Sequence, residues 1–354
     1  MSTIYSALKV FRYPRHLKAL EEKLLEPPIH IRVKPINACN HKCWFCAYRA
    51  DNLDLGASMR VADRIPEPKM LELTQDFIKM GVKAVTFSGG GEPLLYPGIN
   101  KIIKMLDQGG IKVGCLTNGA LLRGPLAETI ANHCTWIRIS IDGWNGESYS
   151  KSRGVNQDEF EKVLSNIQAF NEKWVKCILG ISFVVTKENS PHIFEFCKRA
   201  KEIGVRTVKI SGCVVSNDGD ENAEYHREIF ATVRSQIAMS LSLASDQFQV
   251  LDHYHEQMRS FEKPYRSCPI LSLLTVIGAD CKVYSCQDKA YTDAGSLGSI
   301  KDRSFQEFWY SQEAIEARSR INPQTSCQHH CVAHRKNLLL TEVFDIDPDH
   351  AAFI

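Results

Sequence analysis

A repeated alternation of short apolar runs with amphipathic segments constrains the fold of this 354-residue chain most strongly. Near-helical spacing is clear at 68–80, with Gly81 as the stop and apolar residues at Met70, Leu71, Leu73, Phe77 and Ile78. Further helices are predicted at 99–108, 121–133, 156–173 and 191–203, and strands at 30–36, 84–88, 111–117, 136–141, 177–186 and 207–211. Six strand-helix units predict a parallel α/β sheet with right-handed crossovers, curved into a partial barrel.

The alternation stops after the sixth strand. A long helix at 224–243, with apolar residues at four-residue spacing, is predicted to close the open side of the barrel. The remaining residues have short strands, turns and a second group of cysteines. We therefore expect a lead-in over residues 1–29, a barrel domain over 30–245 and a smaller domain over 246–354.

Composition narrows the functional classes. The 43 basic and 41 acidic residues leave a net charge of +2, which gives no electrostatic case for nucleic acid or an acidic membrane as a partner. No apolar run reaches the ~18 residues of a membrane span, and residues 1–10 lack a signal-peptide core, so we expect a cytoplasmic protein. In that reducing compartment, the 13 cysteines are better interpreted as metal ligands and core residues than as disulfides.

Three of these cysteines, Cys39, Cys43 and Cys46, form one short loop directly after the first predicted strand. Such a loop can supply three thiolates to a cubane iron-sulfur cluster, and no fourth cysteine is near enough in sequence to complete the set. The fourth iron would then be open to a cofactor. The alternative interpretations are a zinc knuckle completed by a distant ligand such as His41, or three unrelated thiols.

Other polar motifs follow later strands of the predicted barrel. The second strand ends in Gly89, Gly90, Gly91 and Glu92, the third in Asn118, and the fourth in Ser140 and Asp142, with Arg153 shortly afterwards. Glycines allow a backbone to approach a ligand closely, and a guanidinium matches the geometry of a carboxylate. Taken singly, the glycines also suit a turn, and Asn118 and Asp142 also suit caps of a helix or turn.

Together these motifs resemble the radical S-adenosylmethionine (SAM) superfamily. The resemblance implies a partial (β/α)6 TIM-type barrel in which the cluster at the three cysteines chelates SAM. It also implies SAM contacts from the residues named above, from Phe45 near the adenine and, in the fifth strand, from Ser182. The implied chemistry is reductive cleavage of SAM to a 5′-deoxyadenosyl radical, which abstracts a hydrogen atom from substrate.

The second cysteine group resembles the auxiliary-cluster region of SPASM and twitch enzymes in the same superfamily. The resemblance implies a second [4Fe-4S] cluster on Cys268, Cys286, Cys327 and Cys331, making one auxiliary cluster and two clusters in all. Cys281 stands where that pattern commonly has glycine, so it is an extra thiol. The alternative is structural zinc on the same four cysteines, or on a set that includes His329, His330 or His334.

The remaining cysteines are core residues by default, because free cysteine is among the most buried residue types. Three of them, Cys115, Cys213 and Cys281, are candidate donors of a hydrogen atom to a substrate radical, as in radical SAM epimerases. Cys115, Cys177 and Cys213 belong to predicted strands or strand ends that can face the barrel interior.

The functional prediction is an enzyme that oxidises or epimerises a small polar metabolite such as a sugar, aminocyclitol or nucleotide-linked sugar. Its expected partners are this substrate and a flavodoxin- or ferredoxin-type electron donor. The alternative enzyme is a SPASM-type maturase of a ribosomally made peptide, which is disfavoured because 29 residues before the barrel are too few for a precursor-recognition domain. The non-enzymatic alternative is a zinc-binding interaction module.

Overall fold

A computed structural model describes residues 5–174, 176–258, 262–327 and 331–353. Ten strands form one sheet: β1 His30–Val33, β2 Ala84–Phe87, β3 Lys112–Thr117, β4 Cys134–Ser140, β5 Ile178–Val185, β6 Thr207–Gly212, β7 Gln249–Asp252, β8 Leu274–Ile277, β9 Lys282–Tyr284 and β10 Ser296–Ser299. Their order is β10-β9-β8-β1-β2-β3-β4-β5-β6-β7. In this order, each neighbouring pair from β8–β1 to β6–β7 is parallel, whereas β9 pairs antiparallel with both β8 and β10.

Helices connect and flank these strands: α1 Pro14–Glu21, α2 Glu67–Met80, α3 Ile99–Gln108, α4 Gly124–His133, α5 Gly146–Arg153, α6 Asp158–Lys173, α7 Ile193–Glu202, α8 Gly219–Arg227, α9 Phe230–Leu241, α10 Tyr254–Gln257, α11 Phe305–Trp309, α12 Gln312–Ser319, α13 Pro323–Ser326 and α14 His334–Phe344. The predicted α/β class with a parallel sheet is confirmed. Within the described ranges, no helix combines the length and apolar character that a bilayer crossing requires.

Strand alternation divides the sheet into an apolar outer face and a polar inner face. Outer-face residues such as Ile31, Ile137 and Ile210 pack in one large core with the flanking helices. Inner-face positions on the same strands carry Arg32 and Arg138. The helix layer therefore supplies most of the apolar burial, while the concave side is left for polar chemistry.

Two features of the chain differ from the sequence prediction. The single helix predicted over 224–243 is wrong: α8 ends at Arg227 and α9 begins at Phe230. The break follows His226, whose ring bonds the Cys213 carbonyl oxygen and the Tyr254 hydroxyl at 2.9 and 3.1 Å. These contacts hold α8 against the end of β6, while α9 turns to pack on α7.

The parallel sheet also extends beyond the six predicted strands. Strand β7 pairs with β6, and β8 pairs with the opposite edge of the barrel, His30 opposite Leu274 and Val33 opposite Ile277. The C-terminal hairpin therefore continues the barrel sheet through backbone hydrogen bonds.

Candidate active site

The cysteine loop packs directly on the glycine segment after β2. The Gly91 N–H donates to Ile36 O at 3.1 Å, and the Glu92 N–H donates to Ala38 O at 2.9 Å. A Cβ atom at Gly91 would collide with the Ala38 carbonyl oxygen, and one at Gly90 with the Asn37 side chain. Glycine is therefore required where the two loops meet.

The buried Glu92 carboxylate joins the glycine segment to the end of β3. Its oxygens accept hydrogen bonds from the Thr117 hydroxyl at 2.6 Å, the Asn118 N–H at 2.8 Å and the Leu94 N–H at 3.0 Å. The Asn118 amide in turn donates to the Asn40 side chain at 2.7 Å. Glu92, one of the predicted SAM-binding residues, thus links the ends of β2 and β3 through hydrogen bonds.

Asp142 and Arg153 form a buried ion pair, with 2% and 4% of their surfaces exposed. The second Asp142 oxygen accepts from the Val184 N–H at 2.6 Å. Burial raises the pKa of Asp142, Arg153 acts in the opposite direction, and the Asp142 carboxylate raises the pKa of Arg153 despite its burial. One donor, the Arg153 Nε, is buried without a hydrogen-bond partner among the described residues.

The end of α5 also holds the cysteine loop. The Lys42 N–H donates to Arg153 O at 2.8 Å, and the Trp44 N–H donates to Ser152 O at 3.3 Å. The Arg153 guanidinium lies 5.7 Å from the centre of the Phe45 ring. The predicted Phe45, Asp142 and Arg153 are thus brought together with the cysteines, whereas Ser140 and Ser182 pair across β4 and β5 on the inner face.

The thiols of the loop are partly exposed and free of disulfides. The His41 N–H donates to the Cys39 sulfur at 3.4 Å. Burial raises the pKa of Cys39, and raises that of Cys43 to about 11 despite the opposing effect of Arg153. Metal binding by these thiols would therefore release protons. Three free cysteines on one tight loop, beside a glycine cradle and an unpaired guanidinium nitrogen, fit a cluster that also binds a carboxylate-bearing cofactor.

The four predicted auxiliary ligands lie on separate short segments of the C-terminal region. Cys268 precedes a 3-10 turn, Cys286 follows β9, Cys327 ends α13, and Cys331 precedes α14. Asn337 donates to the Cys268 sulfur at 3.1 Å. Burial is the main cause that raises the pKa of Cys268 to about 11 and that of Cys331 to about 12. The Cys327 sulfur contributes to the first rise, and Asp288 and the Cys268 sulfur contribute to the second. Cys268 thus interacts with two of the other predicted ligands, which suits a shared cluster.

Within the described ranges, no group of three or more Cys, His, Asp or Glu side chains is placed to hold a metal ion. Structural zinc and a cubane at the second cysteine group therefore both stay predictions from the sequence. His329 and His330 lie outside the described residues.

The three candidate hydrogen donors have different surroundings. Cys213 directly follows β6, and burial raises the pKa of its thiol while the neighbouring Tyr225 hydroxyl acts in the opposite direction. Cys115 pairs in register with Ile137 and faces the helix layer, so the expectation that it faces the interior is wrong. Cys281 occupies the turn between β8 and β9 at a φ of 59° and packs in the core. Only Cys213 among these three lines a cavity at the strand ends.

Sequence reasoning missed a polar network between the two cysteine groups. The fully buried Lys34 ammonium donates to the Tyr48 hydroxyl at 2.8 Å and also to Gly89 O. Tyr48 donates to Gln287 O at 3.0 Å. Tyr48 lies two residues after Cys46, and Gln287 directly follows Cys286. The available signal was the alternation of basic residues at positions 30, 32 and 34, the last of which directly follows β1.

Two loops meet across the mouth of the barrel. The Asn52 side chain donates to Val215 O at 2.7 Å, and the Asp54 N–H donates to the Asn217 side chain at 2.9 Å. Beneath them lies a cavity of about 310 Å³. Its lining includes Leu53, Cys213, Asp288, Lys289 and Thr325. The cavity therefore joins the barrel opening to the auxiliary region.

Comparisons with known protein families assign two segments. Residues 33–200 match the model of the radical SAM superfamily. Residues 268–332 match the model of the SPASM iron-sulfur cluster-binding domain. The first segment contains the cysteine loop, the glycine segment and the Asp142–Arg153 pair. The second contains all four predicted auxiliary cysteines.

Curated relatives of this chain have diverse activities. An AdoMet-dependent heme synthase of Methanosarcina barkeri is 25% identical over 69% of this chain and 75% of its own length. A probable GTP 3′,8-cyclase of Sulfolobus acidocaldarius is 28% identical over 51% of this chain and 54% of its own length. The chain thus spans about half the length of that second relative.

Among solved structures, Streptococcus suis SuiB is similar in fold. Its complex with S-adenosylmethionine has a TM-score of 0.63 at 18% identity, and covers 90% of this chain and 75% of SuiB. SuiB has also been solved with its precursor peptide SuiA. At this identity the likeness concerns the fold alone.

Proposed function

Because this chain is a radical SAM enzyme with a SPASM domain, using [4Fe-4S] clusters and SAM, we propose that it oxidises or epimerises a small polar metabolite. One cluster is assigned to Cys39, Cys43 and Cys46. A single auxiliary cluster is assigned to Cys268, Cys286, Cys327 and Cys331. When bound, the first cluster and SAM supply one-electron reduction of the sulfonium and abstraction of a hydrogen atom from substrate.

The chain's own residues would position and shield the reactants. Gly90 and Gly91 permit close backbone approach beside the cysteine loop, and Arg153, held by Asp142, has a free Nε donor for a carboxylate. Positioning of this kind contributes much of the catalysis when a reactive species must be kept close to one carbon atom. Oxidation or epimerisation then depends on whether a donor such as Cys213 returns a hydrogen atom to the substrate.

The observation that supports a small substrate is the loop contact across the barrel mouth. Hydrogen bonds from Asn52 and Asp54 to the 215–217 loop narrow the entrance above a cavity of about 310 Å³. Ligand pockets for small molecules start at about this size. An extended peptide would require a wider groove at this place, so the narrowed entrance favours a metabolite over the peptide-maturase alternative.

The proposal is tested with anaerobically reconstituted protein. Two cubanes predict about eight irons per chain, a brown colour, and cleavage of SAM under dithionite. Candidate metabolites, and short peptides encoded near the gene, are then assayed for product and for deuterium transfer into 5′-deoxyadenosine. A colourless, zinc-loaded and inert protein would overturn the proposal. Turnover of a peptide alone would replace the metabolite with the peptide-maturase function.

A further inference from the structure

Basic side chains are concentrated on the inner face of the sheet. Arg32 on β1, Arg138 on β4 and Lys209 on β6 each alternate with residues that are buried against the helix layer. Those outer-face neighbours are Ile31, Val33, Ile137, Ile139, Val208 and Ile210. The three basic residues therefore project into the interior of the barrel from three different strands.

The three basic groups act on one another electrostatically and have no ion-pair partner among the described residues. Burial, together with the charges of Arg138 and Arg32, lowers the pKa of Lys209 to about 8. Asp288 and Glu256 act in the opposite direction. Within the described ranges, however, no carboxylate lies within the 4.0 Å of an ion pair from any of the three basic groups. The interior thus carries an excess of positive charge.

Polar groups lie beside these charges. Ser140, Ser182 and Lys209 pair in register across β4, β5 and β6, forming one row on the inner face. The buried Arg138 Nε has no hydrogen-bond partner among the described residues. Arg138 donates through its Nη2 to the Tyr5 hydroxyl at 2.6 Å.

We infer that this inner face binds a polyanionic group of the substrate, either a phosphate chain or clustered carboxylates, through Arg138, Lys209 and Arg32. The inference rests on the proposed function, because it assigns a chemical class to the same substrate. Uncompensated like charges in a partly buried site are costly, and an anionic ligand would remove that cost. Arg and Lys donors match phosphate and carboxylate oxygens well.

The position of the site assigns it to the substrate instead of to SAM. SAM has a single carboxylate, for which Arg153 is the predicted partner. Arg138 lies four residues before Asp142 along the chain, deeper in the barrel than the strand ends that carry the SAM motifs.

The test measures binding of two simple anions to reconstituted, SAM-bound protein by calorimetry. Inorganic pyrophosphate represents the phosphate source and citrate the carboxylate source. We expect Lys209→Gln and Arg138→Gln each to weaken binding of the preferred anion roughly tenfold, since each removes a charge-assisted hydrogen bond. Lys209→Arg should retain binding. Lys104→Gln, on the exposed face of α3, is the matched control and should bind like wild type.

The outcomes separate this inference from the proposed function. Pyrophosphate binding without citrate binding identifies a phosphate group, and the reverse identifies carboxylates. Failure of both anions to bind, or unchanged binding in correctly folded Lys209 and Arg138 variants, overturns the inference. So does a Lys209→Gln variant that loses affinity for SAM and keeps affinity for the anion. SAM cleavage without substrate is measured in parallel, so its absence in wild type would count against the proposed function alone.

Discussion

The ion pair between Asp142 and Arg153 gives the sharpest prediction about stability. Asp142→Asn keeps an oxygen for the Val184 N–H but removes the negative charge beside a guanidinium that is only 4% exposed. Removing one partner of a buried pair costs about 3–5 kcal/mol, because the remaining charge has no compensation. We expect a loss of that size. Since the α5 end bonds the cysteine loop, iron retention should fall as well.

The free energy of unfolding is measured by urea denaturation of the anaerobic protein, with circular dichroism as the readout. The variants are compared with one common denaturant slope m. Arg153→Met combined with Asp142→Asn is the matched control, because it leaves no buried charge and should recover most of the lost stability. A loss below about 1 kcal/mol in the single variant would refute the reasoning. The reasoning would also be refuted if the double variant lost more free energy of unfolding than the two single variants lose in sum.

Three further substitutions test the site. Gly91→Ala should prevent cluster assembly, because its Cβ would collide with the cysteine loop. In the control Gly98→Ala the Cβ meets open space, and the positive φ should lower the free energy of unfolding by only about 1–2 kcal/mol. The iron content of the two variants distinguishes these outcomes. Cys213→Ala should leave SAM cleavage intact and stop an epimerisation. Cys115→Ala should leave both reactions intact, and equal product from the two variants would exclude a thiol donor at Cys213. Cys327→Ala should reduce iron from about eight to about four per chain while SAM is still cleaved; full loss of iron would contradict independent clusters.

The repeating part of the fold was predictable because period-two strands alternate with 3.6-period helices. The motif residues could be located for the same reason, since parallel strands end at one edge of a sheet. The partnership of Asp142 with Arg153 was not predictable, because the sequence does not show how α5 folds back beneath the cysteine loop. The bracing role of Glu92 was hidden similarly, since its partners follow a different strand.

The later strands were missed for physical reasons. Strand β7 is four residues long and is preceded by polar residues, so its sequence has little strand character. Short strands were predicted in the region of β8, but its pairing with β1 is a long-range contact that periodicity does not encode. The inner basic residues were visible in the sequence. Their grouping became apparent only when strand register placed Arg32, Arg138 and Lys209 on one face.

The pairing of β1 with β8 has a consequence for biosynthesis. Residues 30–33 obtain one of their two neighbouring strands from residues 274–277, which are translated roughly 240 positions later. At a synthesis rate of about 5–20 residues per second, β1 therefore lacks one neighbouring strand for on the order of 10–50 seconds. An unpaired edge is prone to pair with other chains. Nascent protein truncated before residue 274 should therefore be aggregation-prone, and the thiols of Cys39, Cys43 and Cys46 would emerge long before their surroundings are complete.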